Sequence, residues 1–164
     1  MRVLIAAGGT GGHVFPGIEI ARRLSESYGA EILFVGTRKG IESRIVPNRT
    51  FQLKFIRAEG LVGKGYIQKF RAIVKFFLSL WDAYVILKRF RPLVVIGMGG
   101  YASAPTVLTA YLMGIPTLIH EQNSIAGLTN KLLGRVVDAV AISYPVSAKS
   151  FPHRKIHITG NPVR

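Results

Sequence analysis

The feature that most restricts the fold is an unbroken apolar run, Val3-Leu4-Ile5-Ala6-Ala7, that passes directly into Gly8-Gly9-Thr10-Gly11-Gly12-His13. Five apolar residues in a row, bounded by turn formers, suit a strand buried on both faces, as in a parallel sheet covered by helices. The same unit recurs. Ile32-Leu33-Phe34-Val35 closes at Gly36, and Leu93-Val94-Val95-Ile96 runs into Gly97-Met98-Gly99-Gly100-Tyr101. Thr117-Leu118-Ile119, Ala139-Val140-Ala141-Ile142 and Ile156-His157-Ile158 read as further strands. Phe51, Leu53 and Phe55 alternate with polar residues and predict a more exposed strand, third in the chain.

Helical patterns fill the gaps. Ile18, Ile20, Ala21 and Leu24 form a stripe ending near Tyr28-Gly29, a short helix is expected from Gly40 to Val46 and stops at Pro47, and a long one runs from about Ile67 to Phe90 after a glycine-spaced loop, Gly60 to Gly65. The alternation predicts an α/β fold, a doubly wound parallel sheet of Rossmann-like type with strand order 3-2-1-4-5-6. A length of 164 residues with 49% apolar content fits one domain with a real core. Between Pro92 and His120 there is no charged residue, yet Gly97, Gly99, Gly100, Pro105, Gly114 and Pro116 interrupt the stretch. Lipid would leave backbone groups at those breaks without partners, so the segment reads as buried strand, glycine loop, short helix and buried strand.

Ligands of open α/β sheets bind at the carboxyl ends of strands, where both glycine loops fall. Glycines let backbone N–H groups close on a phosphate, and a helix start adds partial positive charge. The first loop lacks the G-x-G-x-x-G spacing, no acidic residue ends the second strand, and no Gly-Lys-Ser/Thr follows, so neither a dinucleotide site nor a Walker loop is expected. Two such loops beside the topological switch point can embrace a diphosphate. His13, at a helix start that lowers its pKa, either takes a proton from a substrate hydroxyl or only caps the helix and bonds phosphate. His120-Glu121-Gln122-Asn123 puts four polar side chains at a strand end, satisfied either by ligand or by one another. No metal-ligand spacing occurs, and no cysteine is present for thiolate chemistry or disulfides. No metal and no cofactor are expected.

Lys and Arg number 22 against 8 Asp and Glu, a net charge of +14 that points to an anionic partner. Basic residues cluster from Gly60 to Pro92 and interleave with Phe70, Ile73, Phe77, Leu80, Trp81 and Tyr84 at helical spacing. That stripe either packs on the sheet or, flanked by Lys69 with Lys131 and Arg135 as additions, rests on an anionic lipid surface. No nucleic-acid reading module is recognisable, so no nucleic-acid partner is expected.

Gly-Gly-Thr-Gly-Gly-His from Gly8, Gly-Met-Gly-Gly-Tyr-Ala-Ser from Gly97, His-Glu-Gln-Asn from His120 and the closing Gly160-Asn161-Pro162-Val163-Arg164 occur in the order that resembles the MurG family. Its members transfer N-acetylglucosamine from UDP-N-acetylglucosamine to undecaprenyl-diphosphate-linked muramyl-pentapeptide. The resemblance covers the whole chain as the N-terminal half of a two-domain GT-B enzyme. It implies that residues 1–164 form the acceptor-binding domain, that the donor-binding domain is absent from the chain, and that the half alone is inactive. It assigns Gly9, Thr10, Gly11, Gly12, His13, Gly99, Gly100, Tyr101, Ser103 and Gln122 to the acceptor diphosphate. Thr10, Gly11, Gly12, Asn123 and Arg164 fall to the donor, and His13 with Glu121 to catalysis. The implied place of work is the cytoplasm, peripherally on the inner face of the plasma membrane. A non-catalytic nucleotide- or polyprenyl-diphosphate-binding module, or a natural half of a split enzyme, stands as the alternative.

Overall fold

In this computed structural model the described residues are 1–59 and 66–162, with side chains of 66–72 set aside. The loop from Gly60 to Gly65, the side chains of Lys69 and Phe70, and Arg164 lie outside them.

Seven strands form one parallel sheet: β1 (Arg2–Ala6), β2 (Glu31–Gly36), β3 (Gln52–Phe55), β4 (Val94–Gly97), β5 (Thr117–Glu121), β6 (Ala139–Ile142) and β7 (Ile156–Ile158). Their spatial order is β3-β2-β1-β4-β5-β6-β7, the expected order with β7 added beside β6. The helices are α1 (Gly11–Tyr28), α2 (Glu42–Ile45), α3 (Tyr66–Phe90), α4 (Ser103–Leu112) and α5 (Leu128–Leu133). Past α2 the chain does not stop at Pro47 but turns once more as a 3-10 segment, Pro47–Arg49, because proline is tolerated at a helix start.

Alternate residues of each buried strand feed two cores. Val3, Ile5, Ile32, Phe34 and Ile96 meet Val14 and Ala21 of α1 on one face. Leu4, Leu33, Val95, Ile119 and Val140 meet Leu87 of α3, Val107 of α4 and Leu133 of α5 on the other. Both faces of the central strands are therefore covered, which is why they read as continuous apolar runs.

The long helix departs from the simpler reading of its stripe. Among the described side chains of α3, Ser79, Ala83 and Leu87 are the buried ones, and the small side chains of Ser79 and Ala83 let the helix lie close against α4. Ile73, Phe77 and Trp81 point the other way and are 48%, 65% and 63% exposed, while Leu80 and Tyr84 are half-buried.

β5 is longer than its apolar run, because His120 and Glu121 belong to the strand and pair with Ala141 and Ile142 of β6.

Candidate functional site

The two glycine loops leave β1 and β4, the adjacent central strands between which the strand order reverses. They touch. A Cβ built on Gly100 would lie 2.1 Å from the Gly8 carbonyl oxygen, and one on Gly99 would lie 2.9 Å from Nε2 of His13. Both glycines have positive φ, +96° at Gly99 and +75° at Gly100, a region a side chain enters only with strain. The second loop thus wraps the imidazole presented by the first turn of α1.

Which backbone donors remain for a ligand is decided by local bonding. Thr10 caps α1 with extended backbone (φ −131°, ψ 158°) but makes no side-chain cap bond. Its carbonyl accepts from His13 N at 3.1 Å and Val14 N at 3.2 Å, and its hydroxyl lies 3.2 Å from His13 Nδ1. Gly9 N donates to Glu42 Oε2 at 3.2 Å and Gly99 N to Ser103 Oγ at 3.1 Å. The N–H groups of Thr10, Gly11, Gly12, Gly100 and Tyr101 have no partner among the described residues. The first turn of α1 carries no acidic residue, so the positive end of its dipole is left for an anion.

Four of the residues expected at the acceptor have a hydrogen-bonding group engaged within the protein. Gly9 and Gly99 shape the loops, but their amides point into the protein. Ser103 is fully buried, with its hydroxyl between the carbonyls of Ala6 (2.7 Å) and Gly99 (2.8 Å), so it braces the second loop from beneath. Gln122 is also buried, and its Nε2 donates to the Met98 carbonyl at 2.9 Å, fixing the start of the same loop. A buried serine at a helix start, or a buried glutamine just past a strand, must satisfy neighbouring backbone first.

Glu121 is 1% exposed and fully engaged. Oε1 accepts from the backbone and side-chain amides of Asn123 at 3.0 and 2.9 Å, and Oε2 from Gly127 N and Asn130 Nδ2 at 3.0 and 2.9 Å. Of the two sequence readings of His120 to Asn123, satisfaction by one another describes this carboxylate. Asn123 itself stays exposed at the rim. Among the described residues, three buried side-chain polar atoms lack partners: Nδ1 of His120, Oε1 of Gln122 and Oδ1 of Asn130.

Burial sets the protonation of the site. Desolvation holds His13 below the ordinary imidazole value, although the Gly8 backbone and the charges of Glu121 and Glu42 pull the other way. Desolvation likewise lowers His120, whose Nε2 lies 3.1 Å from the Gly160 carbonyl. Tyr101 is raised, by burial first and then by the charge of Glu42. Its ring would stand 3.2 Å from a Cβ on Gly9, so it closes one side of the first loop.

Two organising residues escaped the sequence reading. Glu42 is fully buried, accepts from Thr37 N (2.7 Å) and Thr37 Oγ1 (3.0 Å), and ties Gly9 to the end of β2. Its signal was the glycine spacing before it: a Cβ on Gly36 or Gly40 would overlap its side chain. Asn130, on α5, also bonds the His120 carbonyl at 3.0 Å and gave no signal.

Lys131 and Arg135 are exposed, and close to them in the chain Ile125, Leu128 and Leu132 are 79%, 69% and 57% exposed. Among the described residues no helix is long and apolar enough to cross a membrane.

The chain is similar to known proteins. The glycosyltransferase family 28 N-terminal domain matches residues 3–142. The "UDP-N-acetylglucosamine--N-acetylmuramyl-(pentapeptide) pyrophosphoryl-undecaprenol N-acetylglucosamine transferase" of Geobacter metallireducens is 50% identical over 100% of this chain and 45% of its own length. The protein of the same description from Myxococcus xanthus is 47% identical over 100% of this chain and 43% of its own. The crystal structure of Acinetobacter baumannii MurG superposes with TM-score 0.85 at 36% identity, covering 98% of this chain and 46% of that one. A UDP-GlcNAc 2-epimerase from Neisseria meningitidis shares the fold alone, with TM-score 0.72 at 15% identity over 99% of this chain and 47% of that one. The chain spans less than half the length of the curated relatives it matches. It belongs to glycosyltransferase family 28, as an N-terminal domain of that family.

Proposed function

We propose that this chain is the acceptor-binding half of an inverting glycosyltransferase that moves N-acetylglucosamine from UDP-N-acetylglucosamine to an undecaprenyl-diphosphate-linked muramyl-pentapeptide. The observation that carries the reading is the contact of the two glycine loops around His13, with five N–H groups, from Thr10, Gly11, Gly12, Gly100 and Tyr101, unpaired among the described residues at the carboxyl ends of the central strands. A diphosphate bridging them gains charge-assisted hydrogen bonds of roughly 1.5–3 kcal/mol each, less the desolvation of the anion. Neutral at physiological pH, His13 is the group to take the proton of the muramyl C4 hydroxyl as its oxygen bonds to the anomeric carbon of the donor. The bond from that carbon to UDP breaks on the opposite side, UDP leaves with the electron pair, and configuration inverts to a β-1,4 link.

Glu121 has a positioning role in this reading, since both oxygens hold the loop that presents Asn123 toward the donor. Arg164 is assigned to the donor by resemblance, and a second domain supplies the remaining donor contacts across a cleft. The exposed Ile73, Phe77 and Trp81 of α3, with Lys131 and Arg135, rest on the anionic inner face of the plasma membrane, which brings the site to a lipid-borne acceptor. The test is His13→Ala in the full-length enzyme. Turnover is expected to fall by about 10²–10⁴-fold, the usual contribution of a general base, with acceptor affinity kept. Unchanged turnover refutes the base role.

A further inference from the structure

On the β2–β3 side of the glycine loops, a cavity of about 720 Å³ opens between the ends of those strands and α3, a size within the range of ligand pockets. Tyr101, whose ring covers Gly9, is a wall common to this cavity and to the loops. Cations dominate the lining: Arg38, Lys39, Arg57 and Lys75 against Glu59 and Asp82.

The internal pairing is uneven. Asp82 receives Nε and Nη2 of Arg57 at 2.9 and 2.7 Å, together with the Arg57 backbone amide at 3.1 Å. Glu59 is ion-paired with Lys75. Arg38 and Lys39 are exposed and meet no carboxylate among the described residues. Arg38 is nevertheless fixed, because its guanidinium lies 5.1 Å from the centre of the Phe55 ring. A cation–π contact of that kind restrains the guanidinium and leaves N–H donors for an anion. Two unmatched cations at the mouth of a cavity, one already restrained, favour a ligand arm that carries carboxylates.

We propose that this cavity receives the carboxylate-bearing peptide arm of the acceptor, with Arg38 and Lys39 as the residues that recognise its acidic groups. The inference rests on the reading of the site given above, in which the diphosphate sits on the glycine loops and the muramyl sugar at His13. The peptide branches from that sugar and has to leave sideways. The cavity beyond Tyr101 offers a charged path in that direction.

The experiment titrates this chain, and the Arg38→Gln/Lys39→Gln double variant, with three soluble ligands: a short-chain polyprenyl diphospho-muramyl pentapeptide, the same compound with its carboxyls amidated, and the same compound without peptide. Both substituted residues are exposed, and thermal unfolding verifies that the variant is folded. The native chain is expected to bind the acidic peptide form about tenfold more tightly than either other ligand, the size of two partly exposed charge pairs. The double variant is expected to bind all three alike, at the native affinity for the peptide-free compound. Equal native affinity for the three ligands overturns the inference and leaves the diphosphate reading standing. So does a preference that survives the double substitution. Failure of folded native chain to bind even the peptide-free compound defeats the acceptor reading, and this inference with it.

Discussion

Gly12 separates what the fold requires from what the ligand requires. It lies in the first turn of α1 without a positive φ, and the nearest atom to an added Cβ is Thr10 Oγ1 at 3.7 Å, an ordinary contact. Nothing in the packing demands glycine there. Alanine restricts the unfolded chain and suits a helix, so Gly12→Ala is expected to stabilise by about 0.4–1 kcal/mol. For a domain of this size that raises Tm by about 1–4 °C. In the ligand's frame the same methyl is obstructive. A helical Cβ tilts toward the helix N-terminus, into the mouth where the amides of Thr10, Gly11 and Gly12 open. Loss of one charge-assisted amide bond, roughly 1.5–3 kcal/mol, weakens a diphosphate by about 10–100-fold. Calorimetric titration with farnesyl diphosphate, paired with a thermal melt, reads both quantities. Unchanged affinity, or a Tm lowered by several degrees, refutes the reasoning. Gly100→Ala is the contrasting variant: its Cβ meets the Gly8 carbonyl at 2.1 Å with φ at +75°, so affinity and stability should fall together.

Two further outcomes follow from burial and exposure. His13 and His120 are both held below the ordinary imidazole value of 6.5, mainly by desolvation. As pH falls below 6.5 the unfolded chain takes up their protons first, so stability present at neutral pH is lost through the window down to the depressed folded values. Urea unfolding at pH 7.5 and 5.5 should give the lower midpoint at pH 5.5, with part of that fall absent in His13→Gln; equal midpoints contradict the assignment. Phe77→Glu/Trp81→Glu alters two largely exposed rings, so Tm should hold while binding to vesicles containing anionic phosphatidylglycerol drops at least tenfold; retained binding removes α3 from the membrane surface.

Much of the fold could be read from residue order, because strands buried on both faces leave apolar runs. β6 and β7 match their runs residue for residue. β5 was read short because His120 and Glu121 are polar, and they tolerate burial only through partners that fold in from elsewhere: Gly160, Asn123, Gly127 and Asn130. α5 escaped because its six residues leave Leu128 and Leu132 on the surface and so carry no apolar stripe. At the site, the glycines and His13 were legible as a group, since few folds gather them so densely. The direction of each amide was not. It depends on Glu42, 33 residues beyond Gly9, and on the rotamer of Ser103, which turn the amides of Gly9 and Gly99 inward. Exposure of Ile73, Phe77 and Trp81 was likewise undecided by spacing alone, because Ser79 and Ala83, less apolar than the rings, lie with Leu87 among the buried side chains described on α3.

The account depends on five backbone amides converging on a diphosphate, and an amide-resolved NMR titration of the labelled chain with inorganic pyrophosphate tests that directly. The resonances of Thr10, Gly11, Gly12, Gly100 and Tyr101 should move together along one binding curve, with the amides of Gly9 and Gly99, bonded to Glu42 and Ser103, shifting least within their loops. Shifts centred on another strand end, or a response led by Gly9 and Gly99, would contradict it.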